Sequence, residues 1–250
     1  MTQRLRIPPI YRLVALASDA DLDAKARDMA ARGAEDGTLL WSDREDRFET
    51  AVILHPDDVL NEAALVAYAG MLGLVDGLGA VAPPLLQITF TWPAGINVNG
   101  TGIGHVRLAL PADARSGAIP DWLVLFLAVN IATEDREAAM VDLGVTYLAE
   151  EGCPDITSGE MLESFARHFL KWVNRWQDDG FDAVRSVWRH YGPDDGDSIE
   201  LDLAGERITG SFGGIGDDGA LLLTGDGADR PIAFLAALSA AERRDGVKGP

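Results

Sequence analysis

Residues 122–131 read WLVLFLAVNI, an apolar run broken only by Asn130 near its end. Alternate side chains of a strand point to opposite faces, so a strand that is apolar at every position has to be covered on both. Such a strand needs material on each side of its sheet, and the flanking segments supply helices. The fold class is therefore α/β or α+β, a mixed sheet with flanking helices. An amide closing this run must find partners, and strand ends in such sheets are where ligands bind, so Asn130 is the first candidate for a site.

The remaining segments fill in that frame. Residues 11–17 read as a short buried strand, and Ser18 is placed to cap a helix with Leu22, Ala26, Met29 and Ala30 at helical spacing. The polar segment 36–49, which contains Trp41, reads as a connection to the apolar run 50–54. Residues 61–79 form a helix with Leu65, Tyr68, Ala69, Leu72 and Val75 on one face. Strands follow at 87–92, 96–98 and 103–110, the last two joined at Asn99-Gly100, a dipeptide that tolerates positive φ in a hairpin turn. Thr157 and Glu160 make a capping box ahead of a stripe of Leu162, Phe165, Phe169, Trp172 and Trp176. A shorter helix occupies 181–191. The Gly-Pro-Asp-rich segment 192–197 predicts a boundary between a domain of residues 1–192 and a small all-β domain of 193–250. In the latter, short segments at 198–203, 206–212, 220–224 and 231–235 predict a barrel of the SH3 kind, and 243–250 a frayed end.

Composition excludes several functions. Acidic side chains number 40 against 21 basic ones, the net charge is −19, and the only lysines are Lys25, Lys171 and Lys248. With no basic cluster to interrupt the acid, nucleic-acid binding has no electrostatic footprint. The lone Cys153 cannot form an intramolecular disulfide, which fits a reducing cytoplasm. No apolar run is read as long enough to span a membrane, and residues 1–10 lack the pattern of a signal peptide, so the expected location is cytoplasmic. His55, His105, His168 and His190 show no metal-binding spacing, and no metal is expected.

Residues 90–106, FTWPAGINVNGTGIGHV, resemble the biotin-protein ligases and the wider biotin/lipoate A/B ligase family. The family signature there is Lys-Trp-Pro-Asn-Asp, a short apolar strand, a turn, then Lys-(apolar)-(small)-Gly-Ile. Residues 128–130 look like the strand ending in the family's Gly-Ile-Asn. The stripe 165–176 with 180–188 is similar to the helices before its last domain, and 207–223 to its closing barrel. The resemblance implies a ligase-type catalytic domain followed by a small SH3-like barrel. It also implies chemistry that joins a carboxylate to AMP and passes the acyl group to a carrier-domain lysine.

The departures fall on the reactive positions. Thr91 and Gly102 stand where the family has its two lysines, and Ala94 and Gly95 where it has Asn-Asp. Residues 36–48 match its Gly-Arg-rich loop with one glycine, and their two arginines are outnumbered by acids. Trp92, Pro93, Gly104 and Asn130 remain. The family's N-terminal helix-turn-helix has no counterpart expected here, since only residues 1–10 precede the first strand.

The candidate ligand-binding residues are Trp92, Asn130, His105, Gly104 and Trp41, with no catalytic residue assigned. Each has a structural alternative: Trp92 as core, His105 as a satisfied histidine, Asn99 as turn chemistry alone. Arg44 and Arg47 either bind an anion or pair with the neighbouring Asp43, Glu45 and Asp46. Cys153, following Glu150-Glu151, has no flanking cation to activate it. Two functions stay open. One is a divergent ligase-like protein that binds or transfers a small carboxylate such as a biotin, lipoyl or other acyl group. The other is a non-catalytic relative that recognises a carrier domain, an acyl ligand or a partner protein. ATP and biotin or lipoate are implied as cofactors only if ligase activity is retained, and a homodimer is the expected assembly.

Overall fold

The computed structural model describes residues 5–133, 144–203, 205–225 and 230–245. The strands are β1 (Arg12–Leu16), β2 (Thr38–Ser42), β3 (Arg47–Leu54), β4 (Ile88–Thr91), β5 (Gly95–Val98), β6 (Thr101–Ala109) and β7 (Leu123–Asn130). They form one sheet in the order β1-β2-β3-β7-β6-β5-β4. Only the β1–β2 pairing is parallel, so the sheet is mixed. The apolar run is its centre: β7 lies between β3 and β6 and is buried from Leu123 to Val129.

Helix α1 (Leu22–Ala31) covers one face. Leu22, Ala26 and Ala30 pack there on Leu40, Ala51, Ile53, Val124 and Phe126. The cap is Asp21, not Ser18: its carboxylate accepts from Ala24 N–H at 2.9 Å, which places the helix start three residues later than expected. The other face carries α2 (Leu60–Ala63), α3 (Val66–Val81), α4 (Ser158–Asp179) and α5 (Phe181–Trp188). The segment read as one helix at 61–79 is thus two. α3 and α4 pack closely because Gly73 lets α4 approach; a Cβ there would lie 2.8 Å from Phe169 Cα. The capping box of Thr157 and Glu160 is formed, and Leu162, Phe165, Phe169 and Trp172 are buried as the stripe requires.

The stretch Leu60–Val81 is long and apolar enough to cross a membrane, contrary to the reading that no run reaches that length, and 78% of its apolar window is buried inside the protein. It is the core helix beneath the sheet. The strand β2 was also hidden in a segment read as a connection. Its Thr38 and Ser42 are polar yet buried, and Thr38 Oγ1 donates to Glu35 O at 2.6 Å.

Beyond residue 197, β8 (Ser198–Leu203), β9 (Glu206–Ile215), β10 (Leu221–Thr224) and β11 (Arg230–Ile232) form an antiparallel sheet in the order β11-β10-β9-β8. This sheet is consistent with a barrel-like C-terminal domain. The expected strand 231–235 stops at Ile232, and helix α6 (Phe234–Asp245) follows, extending into the residues expected to fray. Residues 246–250 lie outside the described residues. Phe234 packs on Tyr68 and Trp92, and Tyr68 Oη donates to Gly219 O at 2.7 Å, so the second sheet closes against the first sheet's core.

Candidate functional site

The α1 face of the large sheet is apolar at one end and charged at the other. Register sets the rows. Ile53, Val124 and Ala109 lie side by side on β3, β7 and β6, then Ala51, Phe126 and Arg107, then Glu49, Ala128 and His105, and finally Arg47 beside Asn130. α1 covers the apolar rows. Past its first turn, above the small side chain of Ala128, a cavity of about 220 Å³ opens, floored by Leu22, Phe126 and Ala128. Glu49 and His105 wall it from the two neighbouring strands.

This cavity continues into a wider cleft of about 820 Å³ bordered by Asn130, Ser18, Asp19 and the turn 43–46 that joins β2 to β3. On the other side of the turn a third hollow, about 730 Å³, is lined by Trp41 and residues 154–159. Arg44 borders all three.

The charges are paired. Arg107 Nη2 lies 2.8 Å from Asp23 Oδ2, its guanidinium 4.6 Å above the Phe126 ring, and Arg27 joins the same carboxylate. Burial alone would raise the Asp23 pKa, but the two guanidiniums outweigh it and hold the group below the usual range. Arg44 grips Asp46 through two hydrogen bonds, Nε to Oδ1 at 2.9 Å and Nη2 to Oδ2 at 2.6 Å. That contact lowers the Asp46 pKa and raises that of Arg44. Arg47 differs: its Nε is 3.1 Å from Glu49 Oε1 but out of hydrogen-bond alignment, and this buried donor has no hydrogen-bond acceptor.

The sequence candidates separate across the sheet. His105 and Asn130 come together on the α1 face, and Asn130 Nδ2 donates to Thr146 O at 3.3 Å. Trp41 and Trp92 are in the opposite core. Trp41 Nε1 donates to Ser158 Oγ at 2.8 Å, and Trp92, 2% exposed, donates to Tyr68 Oη at 2.9 Å. Gly104 contributes close packing: a Cβ there would sit 2.1 Å from Ala128 O. Cys153 is buried, and burial together with Glu151 raises its thiol pKa. Glu49, Arg107 and Asp23 were not singled out from the sequence. Their signal was present in the alternation Arg47-Phe48-Glu49 and His105-Val106-Arg107, charged residues at every second position of interior strands.

The positions where the resemblance expects lysines are occupied otherwise. Thr91 Oγ1 accepts from Asn97 Nδ2 at 2.8 Å. Gly102 lies under a strap formed by residues 144–149. Gly102 N–H donates to Gly144 O, and Thr146, Leu148 and Ala149 N–H groups donate to the carbonyls of Gly102, Asn130 and Ile131. A Cβ on Gly102 would lie 2.8 Å from Gly144 O. Residues 36–48, matched to a long loop, are mostly strand, leaving only the turn 43–46. Lys25 and Lys171 line none of the three hollows. Among the described residues no three His, Cys, Asp or Glu side chains converge as metal ligands.

A mixed seven-stranded sheet with a cleft on its α1 face, followed by a small four-stranded sheet, defines a protein of the ligase-fold class. The sequence model of the biotin/lipoate A/B protein ligase family matches residues 7–190, and the chain belongs to that family. Among individual relatives, the biotin–[acetyl-CoA-carboxylase] ligase of Paracoccus denitrificans is 27% identical over 188 residues, 74% of this chain and 77% of that protein. The bifunctional ligase/repressor BirA of Bacillus spizizenii is 21% identical, over 79% of this chain and 65% of its own length. A biotin protein ligase-like protein of unknown function from a Silicibacter species superposes with a TM-score of 0.81 at 28% identity, covering 94% of this chain and 99% of its own. The biotin protein ligase of Aquifex aeolicus gives 0.72 at 16% identity over 89% and 96%, a likeness of fold.

Proposed function

We propose that the protein binds a small monocarboxylic acid in the 220 Å³ cavity and its adjoining cleft, without adenylating biotin. The observation that carries this reading is the cation inventory. Arg44, Arg47 and Arg107 each already face a carboxylate of their own chain, and Asp19, Asp43 and Glu45 add further acid at the mouth. Adenylation would bring a triphosphate into that mouth. At about 6 Å and an effective dielectric constant of about 20, each carboxylate opposes each phosphate charge by about 3 kcal/mol. A single carboxylate on an apolar body meets far less of this repulsion, and Leu22, Phe126 and Ala128 offer that body a floor.

The names of the relatives make an acyl-carrier domain the natural protein partner. The acidic surface confines such a partner to one with a local basic patch. We also propose a cytoplasmic setting, in which the single cysteine stays reduced, and a domain boundary near residue 192.

The test is ATP–pyrophosphate exchange with biotin, lipoate and octanoate, beside thermal-shift titrations with the same acids. Silence in exchange with a saturable shift from at least one acid is expected. Exchange with any of them would overturn the reading, and so would the absence of every shift.

A further inference from the structure

The buried Nε of Arg47 is the one donor on the cleft wall that reaches a carboxylate without a hydrogen bond. Arg44 has two aligned bonds to Asp46, and Arg107 is both paired with Asp23 and stacked on Phe126. Arg47 has Glu49 at 3.1 Å in poor alignment. Both side chains leave the same face of β3, two positions apart, and neither can swing away from the other without leaving the strand row they share. A buried N–H in this state gains a hydrogen bond from any acceptor that arrives in line with it.

We infer that Arg47 is the anchoring residue of the cleft and that Glu49 acts as a built-in competitor that sets its charge selectivity. This deepens the carboxylate-binding reading and rests on it. A monocarboxylate oxygen can align on Arg47 Nε, with its hydrocarbon body running over Ala128 and Phe126. The cavity of about 220 Å³ has the volume of about seven water molecules, which suits a short acyl chain. A phosphate dianion placed at the same nitrogen meets Glu49 with twice the charge, and Arg47 alone cannot offset both. Asn130, beside Arg47 in the β3–β7 register, bounds the head-group position, with its amide held by Thr146 O.

The chain-matched probes are octanoate and octyl phosphate, titrated by calorimetry against the full-length protein. The unaltered protein is expected to bind octanoate and not octyl phosphate. Arg47→Ala should weaken octanoate by about ten-fold or more, the worth of one charge-assisted hydrogen bond. Glu49→Gln keeps the shape and removes the charge. It should tighten octanoate by about ten-fold, as expected for one like charge removed at short range, and admit octyl phosphate. Lys171→Ala, on the far face, should change neither, and circular dichroism checks that each variant is folded. If octanoate binds the unaltered protein and Arg47→Ala retains that affinity, the anchor is wrong while the carboxylate reading stands. Unchanged binding in Glu49→Gln overturns the competitor role. Failure of octanoate to bind the unaltered protein overturns the anchor as assigned, and the reading beneath it falls only if biotin and lipoate also fail.

Discussion

Replacing Tyr68 by Phe removes one oxygen atom from the place where the two sheets meet. Tyr68 is fully buried; its hydroxyl accepts from Trp92 Nε1 at 2.9 Å and donates to Gly219 O at 2.7 Å. Burial pushes its pKa far up, so it stays a neutral donor at any pH of interest. The substitution leaves the ring contacts with Phe181, Trp188 and Phe234 in place and strands two buried polar groups. A buried donor or acceptor without a partner costs about 1–3 kcal/mol, so the expected loss is about 2–4 kcal/mol. At about 2–4 °C per kcal/mol for a chain of this size, Tm should fall by about 5–15 °C. Calorimetry gives the shift, and urea unfolding of Tyr68→Phe, Trp92→Phe and the double variant gives the coupling. The double variant should cost less than the sum of the singles, because they break a shared bond. A fall in Tm under about 2 °C, or strict additivity, would refute the claim that this hydroxyl ties the sheets together.

Gly104→Ala should be worse than most core substitutions, about 3 kcal/mol or more, because its Cβ would fall 2.1 Å from Ala128 O in the middle of the β6–β7 pairing; urea denaturation measures it. Restoring lysines with Thr91→Lys and Gly102→Lys should not create ATP–pyrophosphate exchange, since a side chain at 102 collides with Gly144 O and opens the 144–149 strap; exchange above background would contradict this. The Arg44 contact lowers the Asp46 pKa, so its contribution is present above the unfolded value near 3.8 and is lost as pH falls through the lower folded value. Asp46→Asn should therefore lower Tm at pH 7 and lose that effect in scans below about pH 3, with the unfolded-state reference as baseline.

Much of the fold was legible because local rules and global burial agree in it. The all-apolar run at 122–131 announced a central strand, and β7 is that strand. The Thr157–Glu160 box and the Asn99-Gly100 turn, with φ of 50° and 84°, behave as their chemistry dictates. The failures share a cause. β2 looked polar because Thr38 and Ser42 are satisfied by hydrogen bonds and packing that only neighbouring strands provide. Residues from Phe234 onward read as strand because apolar residues there are spaced ambiguously for so short a segment, and the partner they pack on decides the outcome.

The site divides in the same way. The family motif and the scarcity of lysine are properties of the sequence alone, and they fixed both the ligase fold and the loss of its usual cations. Which residues would meet a ligand was a tertiary matter. Arg47 and Glu49 come from β3, His105 and Arg107 from β6, and these strands become neighbours of one cavity only because β7, far along the chain, inserts between them and presents Ala128 at the gap. Pairing across a sheet is set by which arrangement buries the most apolar surface at once. No local spacing encodes that total, so a strand's residues were visible from the sequence while their companions were not.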